Sequence, residues 1–232
     1  MTDLRAFPIT RRWPPAHADR LQLYSQASPN GVKVSIMLEE VGLPYEAHRI
    51  SFGEDGTRSP EFLSLNPNGK IPAIIDPHGS GNGPLGLFES GAIMLYLAEK
   101  TGQLLPARPD LRLETIQWLL WQNSFIGPMF GQVGFFNKFA GRDFADKRPL
   151  HHYAAESRRL LGVLDQRLEG RSWVMEDYSI ADIALIGWVR NLITYYEARD
   201  LVGFNKFDKV AAWLDRALAR PAVKRGLGIP SA

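Results

Sequence analysis

Apolar and polar positions fall into two regimes along this chain. Up to about residue 102, short alternating runs trade with segments of helical period. Leu21–Ser25 alternates and predicts a strand. Val34, Met37, Leu38 and Val41 then recur at i, i+3, i+4 and i+7, the stripe of an amphipathic helix, which Gly42 and Pro44 stop. Tyr45–Ile50 predicts a second strand, Pro60–Leu65 a short helix, and Ala73–Asp76 and Leu85–Phe88 two more strands. Ser90–Thr101 predicts a helix, with Lys100 in its last turn and Gly102 past its end. From Leu111 onward the pattern is helical throughout: Leu111–Phe125, Leu150–Leu168, the strongly apolar Ile180–Tyr195, and Phe207–Arg220, which Pro221 stops.

The order β-α-β-α-β-β-α is that of a thioredoxin-like domain. The expected architecture is therefore α/β plus all-α: a thioredoxin-like N-terminal domain over residues 21–102, a linker over 103–110, and an all-helical C-terminal domain over 111–228. Residues 1–20 contain Pro8, Pro14 and Pro15 and show no period, so they are expected to form an extended or mobile arm. The glycine-rich stretch 77–84 joins two strands and suits a hairpin. It has no lysine at its end and leads into a strand, so it is not a phosphate cradle.

Composition narrows the function classes. With 232 residues, 45% hydrophobic and 22% charged, the chain can bury one large core or two modest ones. The net charge of +2 equals the excess of Arg5, Arg11, Arg12 and Arg20 over Asp3 and Asp19 in the arm, so the remainder is neutral and offers nucleic acid no basic stripe. No apolar run approaches the ~20 residues of a membrane span, and Met1 to Arg20 has no leader-like apolar stretch. A cytoplasmic protein without membrane or nucleic-acid partners is expected. Cysteine is absent, which excludes a disulfide framework, a thiolate zinc site, a protein thiol nucleophile and a redox protein with its own cysteine pair. Any sulfur chemistry here must use a borrowed sulfur. His17, His48 and His78 are scattered and suggest no metal site.

Four segments are candidates for chemistry or capping. Ser28-Pro29-Asn30-Gly31 joins the first strand to the first helix, at the strand's carboxyl end, where α/β sheets bind ligands. It is either a turn and cap, or an anion site in which Asn30, Ser28 and the helix N–H groups face a charge such as a thiolate. In Lys70-Ile71-Pro72-Ala73 a proline opens a strand; a cis Ile71–Pro72 bond would turn the N–H and C=O of Ile71 outward toward a peptide-like ligand. Glu89-Ser90 is either a capped helix with an incidental glutamate, or a site for an amino-acid head group, its carboxylate at the helix N-terminus beside Ser90 and its ammonium on Glu89. Ser179 and Asp182 are read structurally, as a capping box. Tyr24 is read as packing. Phe125, Met129, Phe130, Phe135 and Phe136 either line a co-substrate cleft or fill the core.

Together, the Pro-Asn-Gly turn, Asn-Pro-Asn-Gly-Lys-Ile-Pro-Ala-Ile at 66–74, Phe-Glu-Ser-Gly-Ala-Ile at 88–93 and Tyr-Ser-Ile-Ala-Asp at 178–182 resemble the glutathione transferase family, over residues ~20 to ~228. The likeness is to the bacterial nu class and the fungal nitrogen-regulator-like members. It implies a homodimer that binds glutathione or oxidised glutathione, without a metal, and acts on a small electrophile or disulfide. The alternative is a non-catalytic regulatory or ligand-binding member. By resemblance, Glu89 and Ser90 hold the γ-glutamyl group, Ile71 before Pro72 pairs with the cysteinyl backbone, Lys70 neutralises the glycyl carboxylate, and Asn30 points at the sulfur with Ser28 nearby. Ala27 stands where Ser-type classes place a catalytic hydroxyl. Relatives often open the second long C-terminal helix with a basic residue; this chain has His151 and His152 there.

Overall fold

The computed structural model describes residues 4–79, 81 and 83–231; Met1–Asp3 of the arm, Ser80 and Asn82 of the hairpin loop, and Ala232 lie outside the described residues. Two compact units are present. One comprises Met1–Gln103 with Pro221–Ala232, the other Leu104–Arg220.

In the first unit, β1 (Leu21–Ser25), β2 (Tyr45–Arg49), β3 (Ala73–Asp76) and β4 (Leu85–Phe88) form one sheet in the order β2-β1-β3-β4. β1 and β2 are parallel; β1–β3 and β3–β4 are antiparallel. Alternation along the strands gives the sheet two apolar faces. Tyr24, Ala73 and Ile75 face a cluster with Ile50, Ile71 and the Phe62 and Leu65 side chains of a short helix, Pro60–Leu65. Leu23 and Ile74, fully buried, point the other way, where the helices Gly31–Val41 and Ser90–Thr101 pack side by side.

The arm is not an extended or mobile tail over its described part. Leu4–Ala6 forms a 3-10 turn and Ile9–Arg12 a helical turn, α1. Leu4 and Ile9 are buried in the cluster around Tyr24 and Phe62, with Phe7 and Trp13 packed against it. Polar ties add to this: Arg12 donates to the Asp55 carbonyl at 2.8 Å, and the Glu46 carboxylate accepts the N–H groups of Ala16 and His17 at 2.9 and 2.8 Å. The apolar side chains of the arm sit in single turns broken by prolines, so they dock without a period to betray them.

The remaining helices of this unit are α2 (Gly31–Val41), α3 (Pro60–Leu65) and α4 (Ser90–Thr101). The last helix of the chain, Pro221–Gly226, also belongs here, although the sequence pattern assigns residues up to 228 to the helical domain. Ser35 of α2 donates to the Gly226 carbonyl at 2.6 Å, and Arg225 meets Glu39 at 2.5 Å.

The second unit is helical: α5 (Pro109–Trp121), α6 (Gly127–Asn137), α7 (Arg148–Arg167), α8 (Ile180–Ile193) and α9 (Asp208–Ala219). A π-type turn, Gln122–Ile126, joins α5 to α6. α8 is the central helix, buried from Ile180 through Val189. At its head the Ser179 hydroxyl accepts the Ala181 N–H at 3.3 Å and Asp182 accepts the Ser179 N–H at 3.0 Å, a reciprocal capping box. Phe130 is fully buried, whereas Phe125 and Phe135 are exposed. His151 and His152 are exposed near the start of α7.

Candidate active site

Strand register gathers three of the four sequence segments at one end of the sheet. Ala73 pairs with Tyr24 of β1 on one side and with Phe88 of β4 on the other. Neighbouring strands lie ~4.8 Å apart. The turn that follows β1, the Ile71–Pro72 bond that precedes β3 and the Glu89-Ser90 pair that follows β4 therefore share one rim. Ser179 and Asp182 stand in the helical unit and serve the head of α8.

The first segment is a tight turn. Ser28 N–H donates to the Gln26 carbonyl at 2.7 Å, and Val32 N–H to the Ser28 carbonyl at 2.9 Å. The Ser28 hydroxyl accepts the Gly31 N–H at 3.3 Å, which leaves its own hydrogen to donate. Only glycine fits at 31, because a Cβ there would come within 1.9 Å of the Gln26 carbonyl oxygen. Asn30 occupies the head of α2 in helical conformation, φ −82°, and its side chain makes no cap bond. The turn is thus closed by Ser28 rather than by Asn30.

The Ile71–Pro72 bond is cis. Asn66 prepares it: its side chain donates to the Lys70 carbonyl at 2.5 Å and accepts the Asn68 N–H at 3.0 Å. Among the described residues the backbone N–H and C=O of Ile71 make no hydrogen bond, so the donor–acceptor pair stands unspent. Lys70 is exposed.

At the third segment, Glu89 holds φ 70° and ψ 111°, a backbone region that costs a non-glycine residue about 1–3 kcal/mol and concentrates at functional sites. Its side chain is exposed. The expected cap is different in detail. α4 begins at Ser90, and the Ser90 hydroxyl is engaged not with the helix but with the Lys33 ammonium, 3.2 Å away. Lys33 was not singled out by the sequence pattern. It is 1% exposed, and burial lowers its pKa to about 7, with the charge of Glu89 pulling it partly back. One signal could have found it: a cation in a helix's first turn opposes the helix dipole.

Tyr24 lies fully buried beneath this rim, stacked on His48 at 4.7 Å, and burial raises its pKa above the ordinary phenol value. It packs the cluster. Among the described residues, no three His, Asp or Glu side chains gather as a metal site would require, and no helix is long and apolar enough to cross a membrane.

Comparison with known proteins identifies the fold and the family. Residues 27–100 match the family model for the glutathione S-transferase N-terminal domain. The chain is 43% identical over 209 residues, 89% of its own length and 94% of the relative's, to the disulfide-bond oxidoreductase YfcG of Escherichia coli. It belongs to the glutathione S-transferase family. A glutathione transferase from Pseudomonas putida, crystallised with one glutathione disulfide per subunit, superposes with a TM-score of 0.97 at 63% identity, covering 99% of this chain and 100% of that one. Another from Burkholderia graminis, with two glutathione molecules per subunit, also gives 0.97 at 62% identity, covering 100% and 97%. The thioredoxin-like unit and the helical unit described above are those of this transferase family.

Proposed function

We propose that this transferase binds glutathione along the rim of the sheet and presents its sulfur, as a thiolate, to small disulfides and electrophiles. The observation that carries the proposal is the convergence of three segments on the two sides of Ala73. Glu89 and Ser90 take the γ-glutamyl ammonium and carboxylate. Ile71 pairs its unspent N–H and C=O with the cysteinyl backbone. Lys70 faces the glycyl carboxylate, and Asn30 with Ser28 faces the sulfur.

The magnitudes suffice without a tyrosine. A free thiol has a pKa of about 8.5, so only a few per cent is ionised at pH 7. Lowering it by about two units requires about 2.7 kcal/mol. A hydrogen bond to the thiolate contributes roughly 1.5–3 kcal/mol and the α2 terminus roughly 0.3–1. Asn30, at the head of α2 where the turn after β1 meets the rim, is the residue assigned to supply the first.

Disulfide reduction is the favoured activity. The name of the relative YfcG and the glutathione disulfide in the Pseudomonas putida transferase support it. The chain has no cysteine, so every sulfur comes from the ligands. A first glutathione thiolate attacks one sulfur of the substrate disulfide, expelling a thiolate and leaving a mixed disulfide. A second thiolate attacks the glutathione sulfur of that intermediate, giving glutathione disulfide and the second product thiol. Two electrons pass from two glutathiones to the substrate. Conjugation uses the first thiolate alone, on an electrophilic carbon. Homodimerisation and a cytoplasmic setting belong to the same proposal.

Steady-state assays with hydroxyethyl disulfide and with a chlorinated aromatic test it. Turnover of the disulfide with saturation in glutathione is expected. No turnover of either substrate, with glutathione still bound, would leave the non-catalytic alternative.

A further inference from the structure

The first turn of α2 carries a lysine with almost no access to solvent. Lys33 is 1% exposed, and its Nζ lies 3.2 Å from Ser90 Oγ across the helix pair. Nothing in the folding of α2 asks for a cation there. The dipole disfavours it, and burying an ammonium is costly unless another charge or dipole answers it. The neighbour that answers is at the rim: Glu89, whose charge favours the ammonium, sits beside Ser90 in a strained backbone conformation.

We propose that Lys33 is a positioning residue for the amino-acid head group of glutathione, holding Ser90 from behind and setting a buried cation against the carboxylate received at the head of α4. The assignment deepens the glutathione reading above and rests on it. Two other charged pairs on the packed elements lie away from it. Arg225 of the C-terminal helix pairs with Glu39 two turns along α2, and Lys224 there is exposed. At the far end of α4, Lys100 pairs with Asp76 of β3 at 2.9 Å. The charge of Glu89 acts on Lys33 and favours its ammonium.

A consequence follows from linkage. Burial holds the Lys33 pKa at about 7, so at pH 8 the side chain is mostly neutral. An arriving carboxylate favours the ammonium, and a proton is taken from solvent as the ligand binds. The sulfur is handled by Asn30, so Lys33 acts on binding rather than on the chemical step.

Calorimetry of the intact protein with S-methylglutathione, at pH 8 in two buffers of different ionisation enthalpy, tests this. The methyl group removes the thiol, so it contributes no proton. Wild type is expected to take up more than about half a proton per site. Lys33→Met is expected to bind about 10- to 100-fold more weakly and to lose that uptake. It should raise KM for glutathione in the disulfide assay while leaving kcat at saturation within about threefold. The ligand's own amine titrates equally in both proteins, so the difference reports Lys33. Equal affinity and equal uptake in the variant overturn the proposal while the glutathione reading stands. Absence of proton uptake by wild type also overturns it, with no variant needed should Lys33→Met fail to fold. Absence of any binding by wild type overturns both.

Discussion

The indole N–H of Trp213 donates to Asp182 Oδ1 at 2.8 Å, tying α9 to the head of α8. The same oxygen accepts the Val174 N–H at 2.9 Å, and the other accepts the Ser179 N–H at 3.0 Å. One fully buried carboxylate thus fixes three segments of the helical unit. A helix cap alone is worth about 1 kcal/mol. Asp182→Ala leaves three donors unpaired as well, and a loss of about 3–5 kcal/mol is expected. Trp213→Phe, which removes one donor and some ring volume, should cost about 1–3 kcal/mol. Urea unfolding followed by circular dichroism checks both. An Asp182→Ala midpoint equal to wild type would contradict the hub.

Lys33 gives a pH dependence whose sign is fixed. Its folded pKa, about 7, lies below the ordinary lysine value of 10.5. Between those values the unfolded chain binds more protons, so folding stability contributed by this residue rises with pH from 7 toward 10.5. Below 7 the cost of the buried charge is fully present. Lys33→Met removes it and is expected to be more stable than wild type at pH 6, the gap narrowing by pH 9. Unfolding midpoints at the two pH values, without ligand, measure the gap; a constant gap counts against a depressed lysine pKa.

At the sulfur, Asn30 and Ser28 should separate. The Ser28 hydroxyl is already an acceptor within its turn, whereas the Asn30 side chain makes no cap bond. Asn30→Ala is expected to lower kcat by about 10- to 100-fold, the worth of one hydrogen bond to a thiolate. Ser28→Ala should lower it less than tenfold and loosen the turn. Ultraviolet absorbance of bound thiolate against pH gives an independent reading, with the thiol pKa raised in Asn30→Ala. Equal, near-normal rates in both variants defeat the assignment.

The arm should behave as part of the core. Ile9 is fully buried among Tyr24, Phe62 and Ile75. Ile9→Ala is expected to cost about 2–5 kcal/mol, seen as a lower urea midpoint with an unchanged slope. An unfolding free energy within about 0.5 kcal/mol of wild type would mean that the docked turns contribute nothing.

What could be read in the sequence, and what could not, follows from how each element is held. The strands, α2 and α4 are legible because alternating runs or an i, i+3, i+4 stripe mark them and turn residues bound them. α6 is hidden. Its stretch Gly-Pro-Met-Phe-Gly-Gln-Val-Gly has poor helix formers, yet the glycines are what let it pack. A Cβ at 134 would lie 2.8 Å from the Tyr196 ring, so only a bare backbone admits that ring. The arm escapes notice because its apolar residues act one turn at a time. At the rim, Asn30, Ile71, Glu89 and Ser90 are legible as a set, since turn, proline and helix head recur at strand ends. Lys33 is not. Between Val32 and Val34 it looks like a solvent-facing break in an apolar run; its place against the helix dipole is the one hint, and the meeting of α2 with Ser90 shows that it points inward.

Glu89 sets stability against binding. Its φ of 70° strains a residue that has a Cβ. Glycine relieves about 1–3 kcal/mol of that strain and gives back about 0.4–1 through the greater freedom of the unfolded chain. Glu89→Gly is therefore expected to raise stability by about 1 kcal/mol. It also deletes the carboxylate proposed to hold the ligand ammonium, so glutathione affinity should fall about tenfold or more. Glu89→Gln keeps the backbone strain and removes the charge; it should lose affinity without gaining stability. Urea midpoints and calorimetry on the two variants separate strain from charge. A Glu89→Gly protein less stable than wild type would show that the backbone here is held by its side chain rather than strained against it.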